Sequence, residues 1–249
     1  MFYAGAMFNN AFYSYFRLQS FSLGMSFTEI ALKSLQLITM PVLAAMTLAV
    51  IVPRLPQLLA SLGLSEQITR SAQQAGREVA RRHLLLVLAG ICLMAFWPYI
   101  QSYGWTAPVI VAFGLLLGLF APGDQRPWQR GASLMMAALL LVWASGMAAS
   151  QQGREAAERT ADHLVSRTAV VVLSTDRLSM SGNPGPLVED LGKGQHYRYR
   201  YSQLRLLVQR DQRYYVLPLG WRHRTDPTYI VVDDDSVRIE LYPGTQPPR

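Results

Sequence analysis

The chain has 249 residues, with 23 Lys+Arg against 16 Asp+Glu and a formal net charge of +7. Charged residues make up 16% of it and apolar residues 51%, against roughly 25% charged in an ordinary soluble domain. This composition excludes a disordered chain. Its uneven placement excludes a single water-soluble globule, because the first 150 residues hold 9 basic and 4 acidic groups and the last 99 hold 14 and 12.

A membrane part followed by a water-soluble part accounts for that split. Of the 23 basic residues 21 are Arg, with only Lys33 and Lys193 as lysines. Such a skew reflects a GC-rich coding genome and suggests an actinobacterial origin. The single cysteine, Cys92, excludes an intramolecular disulfide and a Cys-based metal site.

Residues 1–29 contain Phe2, Tyr3, Phe8, Phe12, Tyr13, Tyr15, Phe16 and Phe21, with Arg17 as the first charge. They lack the basic start and small-residue cleavage site of a signal peptide. The stretch before Arg17 is too short to span a bilayer. It reads as an aromatic interfacial or re-entrant helix, or as the end of a span whose beginning lies outside this chain.

Four apolar stretches follow, at 31–52, 84–100, 105–121 and 132–149. Each approaches the roughly 20 residues that cross a ~30 Å hydrocarbon layer. Only four residues separate the second from the third, which predicts a tight helical hairpin flanked by Trp97, Tyr99, Tyr103 and Trp105. The loop 53–83 carries Arg54, Arg70, Arg77, Arg81 and Arg82, and the loop 122–131 carries Arg126 and Arg130. With four crossings both loops fall on one side, and the excess of arginine makes that side cytoplasmic. The amino terminus and everything after 150 then lie outside. Most of the positive charge of the first part is thus spent on orientation and implies no nucleic-acid partner. A helix from Ser65 would place Arg70, Arg77 and Arg81 near one face, able to hold anionic lipid headgroups.

The third span carries a packing signal, Gly114 and Gly118 at GxxxG spacing. The fourth repeats small residues at Ser133/Ala137 and Ser145/Ala149. Residues 151–166 are polar and helical, with Glu155 and Arg159 at i,i+4, and read as a stalk continuing the fourth span. From 167 to 249 the period changes to two. Strands are expected at 168–174, 196–201, 204–209, 213–217, 228–232 and 237–242, with a further short one at 178–180. The polar turns at 210–212 and 233–236 predict two hairpins, and the Gly- and Pro-rich stretch 181–195 predicts the longest loop. In 196–201 the alternation sets Tyr197, Tyr199 and Tyr201 on one face and His196, Arg198 and Arg200 on the other.

The fold class expected is therefore α+β. It comprises an interfacial segment (1–29), a four-span helical bundle (30–150), a helical stalk (151–166) and an antiparallel β barrel or sandwich (167–249).

No HExxH, CxxC, GxSxG or phosphate-binding glycine motif occurs, and the spans carry no Asp, Glu, Arg or His in their interiors. That argues against transport, proton relay and intramembrane proteolysis. Asp233, Asp234 and Asp235 read as a solvated turn rather than a cation site. Ser174, Asp176 and His196 form a triad only on paper. Catalytic, cofactor and metal residues are accordingly expected to be none. Tyr197, Arg198, Tyr199 and Arg200 are the candidate partner-binding residues, since Arg and Tyr are common interface anchors.

The stretch FYSYFRLQSFSLGMSFTEIALKSLQL resembles a segment of an actinobacterial family of multi-pass membrane proteins without an assigned activity. YRYRYSQLRLLVQRDQRYYVLPLGW and TYIVVDDDSVRIELY are similar to that family's extracytoplasmic β-domain. The resemblance covers about 70 residues and implies no active site. In that family a helix precedes the YSYF segment, so the resemblance implies a late start or a truncated chain here. The function expected is that of an accessory or scaffolding protein of a bacterial cell membrane. Its partners would be the lipid bilayer and another membrane or envelope protein or the wall. The alternative is an envelope sensor that binds a small ligand outside and signals to the loop 53–83.

Overall fold

The computed structural model describes residues 2–19, 23–24, 83–96, 104–119, 127–180, 182 and 185–244. Four helices are present among them: α1 (Phe2–Tyr15), α2 (His83–Ala95), α3 (Thr106–Gly118) and α4 (Pro127–Asp162). A 3-10 turn at Leu164–Ser166 leads to six strands, β1 (Ala169–Ser174), β2 (Leu187–Asp190), β3 (Tyr199–Arg210), β4 (Arg213–Pro218), β5 (Tyr229–Val232) and β6 (Val237–Tyr242). The fold is α+β, with an antiparallel sheet. The chain divides into two units, Met1–Phe8 with Phe27–Gln152, and Asn9–Ser26 with Gly153–Arg249.

In the first unit only α4 is long and apolar enough to cross a membrane, among the described residues. Its 36 residues run about 54 Å at the α-helical rise. Pro127 opens it, where a missing amide hydrogen costs nothing. Helices α2 and α3 have 13 residues each, or about 20 Å, short of the hydrocarbon thickness. The expected four-span bundle is therefore not what the described residues display. The expectation for 31–52 lies outside them.

Helices α2 and α3 pack through a glycine. A Cβ built on Gly90 would overlap the Val111 side chain and come within 3.0 Å of the Val111 backbone nitrogen. Gly146 of α4 serves the same purpose for α1, since a Cβ there would overlap the Tyr3 ring. Ala4 and Ala149 are buried beside them. On α4 the small residues are inside and the large ones outside. Ala137 and Ala144 are 1% and 3% exposed, whereas Met135, Leu139 and Val142 are 67%, 60% and 54% exposed.

The second unit is built on one open sheet in the order β5-β4-β3-β1-β6, with β2 added to β3. It is neither the barrel nor the sandwich expected from the strand count. Strand β3 is the spine, merging two segments that the sequence reads as separate strands. One bulge falls between its pairings with Val170 and Val172 of β1, where Gln203 takes a left-handed φ of 63°. A second falls between Leu206 and Val208 opposite β4. Bulges bend and twist a strand, and the first sets Tyr201 and Leu204, an odd number of residues apart, on one face. Tyr201 and Leu204 enter a core on one face with Val170, Val172, Tyr214, Val216, Val231 and Val237. Leu207 enters the other.

That second face is covered by helix. Tyr13, Phe16, Leu18, Leu23, Ala157, Leu164 and Trp221 pack with Leu207, Tyr215 and Leu217. Four of the aromatics expected in a membrane interface thus belong to a sheet domain's core, Tyr13 and Phe16 buried in it and Phe12 and Tyr15 packed against it, and the unit boundary lies at Asn9. Strand β4 is buried on both faces as a result.

Two further expectations change. β5 and β6 are joined by the turn 233–236 yet do not pair with each other: β5 pairs with β4, and β6 with β1. Val231 is drawn to Tyr214 and Val216, while Val237 joins Val170 and Val172. No strand forms at 178–180, and the stretch expected as a loop contains β2.

Candidate functional site

Tyr199 and Arg200 open β3, whereas His196, Tyr197 and Arg198, expected to share that strand, precede it. Tyr199 packs on the core and Tyr201 is fully buried, as the alternation predicts. Burial raises the Tyr201 hydroxyl above its ordinary value, and that hydroxyl accepts a hydrogen bond from the Leu178 amide at 2.6 Å. Leu178 is thereby pinned beside the sheet, with Met180 also packed on the core.

Arg198 and Arg200 point the other way, and neither offers a free cation. Arg198 Nε and Nη2 donate to the Asp190 carboxylate at 3.0 and 2.8 Å, a bidentate pair. Arg200 Nη1 donates to Glu189 Oε2 at 3.0 Å. Both acids belong to β2, whose antiparallel register sets Glu189 opposite Arg200. Hydrogen bonds from Arg198, then from the Gly192 amide, hold the Asp190 carboxyl down at about 2. Arg198 also lies 5.0 Å from the Tyr199 ring centre, and Tyr197 meets His196 edge to face. An acidic partner would have to displace Asp190 and Glu189 to reach these arginines. Leu-Val-Glu-Asp before Leu191-Gly192-Lys193-Gly194 is the signal that would have revealed this pairing, with two acids and two arginines flanking a glycine turn.

Gly114 and Gly118 are both buried on α3. Gly90 and Gly146, which carry the visible close approaches, have no GxxxG partner and gave no such signal.

A second surface emerges only in the fold. Between β5 and the segment 178–180 runs a groove of about 340 Å³, lined by Leu178, Met180, Tyr229, Val231, Asp234 and Val237 among others. Asp234 caps the turn at one end, accepting from the Ser236 amide at 2.9 Å and its hydroxyl at 2.6 Å. These bonds keep its carboxyl below the usual range.

The chemistry-bearing residues are not assembled. Ser174 is buried, Asp176 is bonded by Thr175, and no hydrogen bond joins either to His196. His163 Nδ1 bonds the Arg159 carbonyl and His223 Nδ1 donates to Tyr15 O. Asp226, a buried acid that no motif announces, accepts from the Arg222 amide and the Thr225 hydroxyl, both at 2.7 Å, and so closes the loop after Trp221. Among the described residues no three His, Cys, Asp or Glu side chains gather as a metal site.

Comparison with protein-family models, with curated proteins and with solved structures finds no match for this chain.

Proposed function

We propose that this chain is a non-enzymatic, multi-pass protein of a bacterial cell membrane, of the actinobacterial kind its sequence resembles. In this reading it presents its sheet domain outside the cell as an accessory or scaffolding subunit. The observation that carries this is the inverted dressing of α4, with alanines buried and Met135, Leu139 and Val142 exposed. Water disfavours such a stripe, whereas lipid covers it at no cost and small residues let helices pack closely. Leu84, Leu88 and Ile91 make a similar exposed stripe on α2.

Four crossings, with 53–83 and 122–131 in the cytoplasm, fit the arginine distribution. Helix α4 then runs without a break from its apolar window into the polar residues after Gln151.

Cysteine labelling in intact cells on a Cys92→Ala background tests the topology. Lys193→Cys is expected to react with an impermeant reagent, and Arg77→Cys only after permeabilisation. Reaction of Arg77→Cys in intact cells overturns the orientation. Crosslinking in native membranes tests the role. A reproducible membrane or wall partner supports the scaffold. A chain that stays alone but binds a small ligand through its sheet domain replaces the scaffold by a sensor.

A further inference from the structure

We infer that the free edge of β5 is a peptide-binding site, which takes an extended apolar segment of a partner protein as an added antiparallel strand. The Asp233 amide donates to Gln212 O at 2.8 Å, on the β4 side. Alternation along the strand then turns the amides and carbonyls of Ile230 and Val232 away from β4. They have no backbone partner among the described residues, because β5 ends the sheet. Each outward residue of an antiparallel edge exchanges two hydrogen bonds with the residue set opposite it. Two such residues therefore provide four.

The space for a guest strand exists. The groove beside β5 is lined by Leu178, Met180 and Val237 as well as by β5 itself. It arises because β5 and β6, though consecutive, pair on opposite edges of the sheet and leave a seam that a paired hairpin would have closed.

Charge specifies the guest further. Asp233 and Asp235 stand exposed at the turn end of the seam, with no ion-pair partner among the described residues. A strand added antiparallel brings its amino-terminal side to the carboxy-terminal end of β5. The guest is thus a short segment with Lys or Arg first and alternating apolar residues after it, bound by strand addition. This rests on the scaffold reading only in making the partner a protein.

The experiment screens a displayed library of random short peptides against the full chain in phospholipid nanodiscs, with empty nanodiscs as the control. Peptides with a basic residue followed by alternating apolar ones are expected to enrich. Asp233→Asn/Asp235→Asn should weaken them about three- to tenfold, as exposed ion pairs allow. Ile230→Pro removes only an outward-facing donor, a position where an edge strand tolerates proline, and should abolish binding. Peptides methylated at alternate backbone nitrogens should fail likewise, a test that leaves the protein unchanged if Ile230→Pro does not fold. No enrichment over empty nanodiscs, or enriched peptides that tolerate both backbone methylation and Ile230→Pro, overturns the site. So does a dimer of this chain that Ile230→Pro dissociates, since the edge would then be filled by a second copy. These failures leave the scaffold role standing, whereas absence of any crosslinked partner in native membranes removes that role whatever the peptides do.

Discussion

The Tyr15 ring stacks on the His223 imidazole at 4.1 Å and 15°, and His223 Nδ1 donates to the Tyr15 carbonyl at 2.6 Å. Around that pair Phe16 lies 5.1 Å from Trp221, and the Thr228 hydroxyl donates to the Phe16 carbonyl at 2.8 Å. The end of α1 is thus part of the sheet domain, more than 200 residues away in sequence. Because Phe16 is fully buried there, Phe16→Ala is expected to cost that unit about 3 kcal/mol or more. Chemical unfolding of the full chain in detergent, followed by tryptophan fluorescence, measures it. A loss within error of zero would show that α1 does not belong to this core.

Arg17 ends α1 in a left-handed conformation, φ 61°. Leu18 N–H bonds Tyr13 O and Arg17 N–H bonds Ser14 O, both at 3.0 Å, which is the Schellman arrangement that usually takes glycine. The conformation costs an L-residue about 1 kcal/mol. The Arg17 guanidinium offsets this by donating to Arg224 O at 2.7 Å. Arg17→Gly loses the bond and the strain together, so it should melt near the parent. Arg17→Ala keeps the strain and loses the bond, and should melt lowest. Equal melting of the two variants would contradict the cap.

The β3–β4 hairpin turns on Asp211 and Gln212, with φ of 46° and 58°. Both central residues of this two-residue turn are left-handed, which favours Asp-Gly over Asp-Gln. Gln212→Gly is expected to stabilise the unit by about 0.5–1 kcal/mol. A lower melting temperature for this variant would argue against the turn type.

Asp190 provides a pH test. Its carboxyl is held at about 2 in the folded chain, below the ordinary ~3.9 of an unfolded one. A depressed acid stabilises the fold above its unfolded value and loses that contribution as pH falls through the folded value. Asp190→Asn should therefore melt below the parent at neutral pH, with the difference shrinking from about pH 4 towards pH 2. A gap that stays constant across that window would mean that the Arg198 pair does not form.

Gly90 and Gly131 make a matched pair in the first unit. A side chain on Gly90 overlaps Val111, whereas nothing lies within 4 Å of the Cβ position on Gly131. Gly90→Ala is expected to cost about 1–3 kcal/mol through overpacking. Gly131→Ala should gain up to about 1 kcal/mol of helix propensity. Dodecyl sulfate titration of the full chain reads both, and the reverse order would refute the α2–α3 packing.

Local periodicity made much of this chain legible. The β-branched run of β1 and the alternation that turns Tyr199 and Tyr201 to the core are properties of neighbouring residues, and the structure keeps them. So is the polar turn between β3 and β4. What the tertiary structure decided lies in pairings between distant segments. Alternating residues state that a strand has two faces, but not which strand lies beside it. For that reason β5 and β6 read as a hairpin, although each finds its ladder on the opposite edge of the sheet. Arg198 and Arg200 read as a free basic face because the acids that take them, Asp190 and Glu189, sit in a stretch rich in glycine and proline. The aromatics of α1 read as a membrane interface because an apolar ring has the same sequence signature in lipid as in a core. Only the sheet face exposed by Leu207, Tyr215 and Leu217 gives Tyr13 and Phe16 somewhere else to be buried.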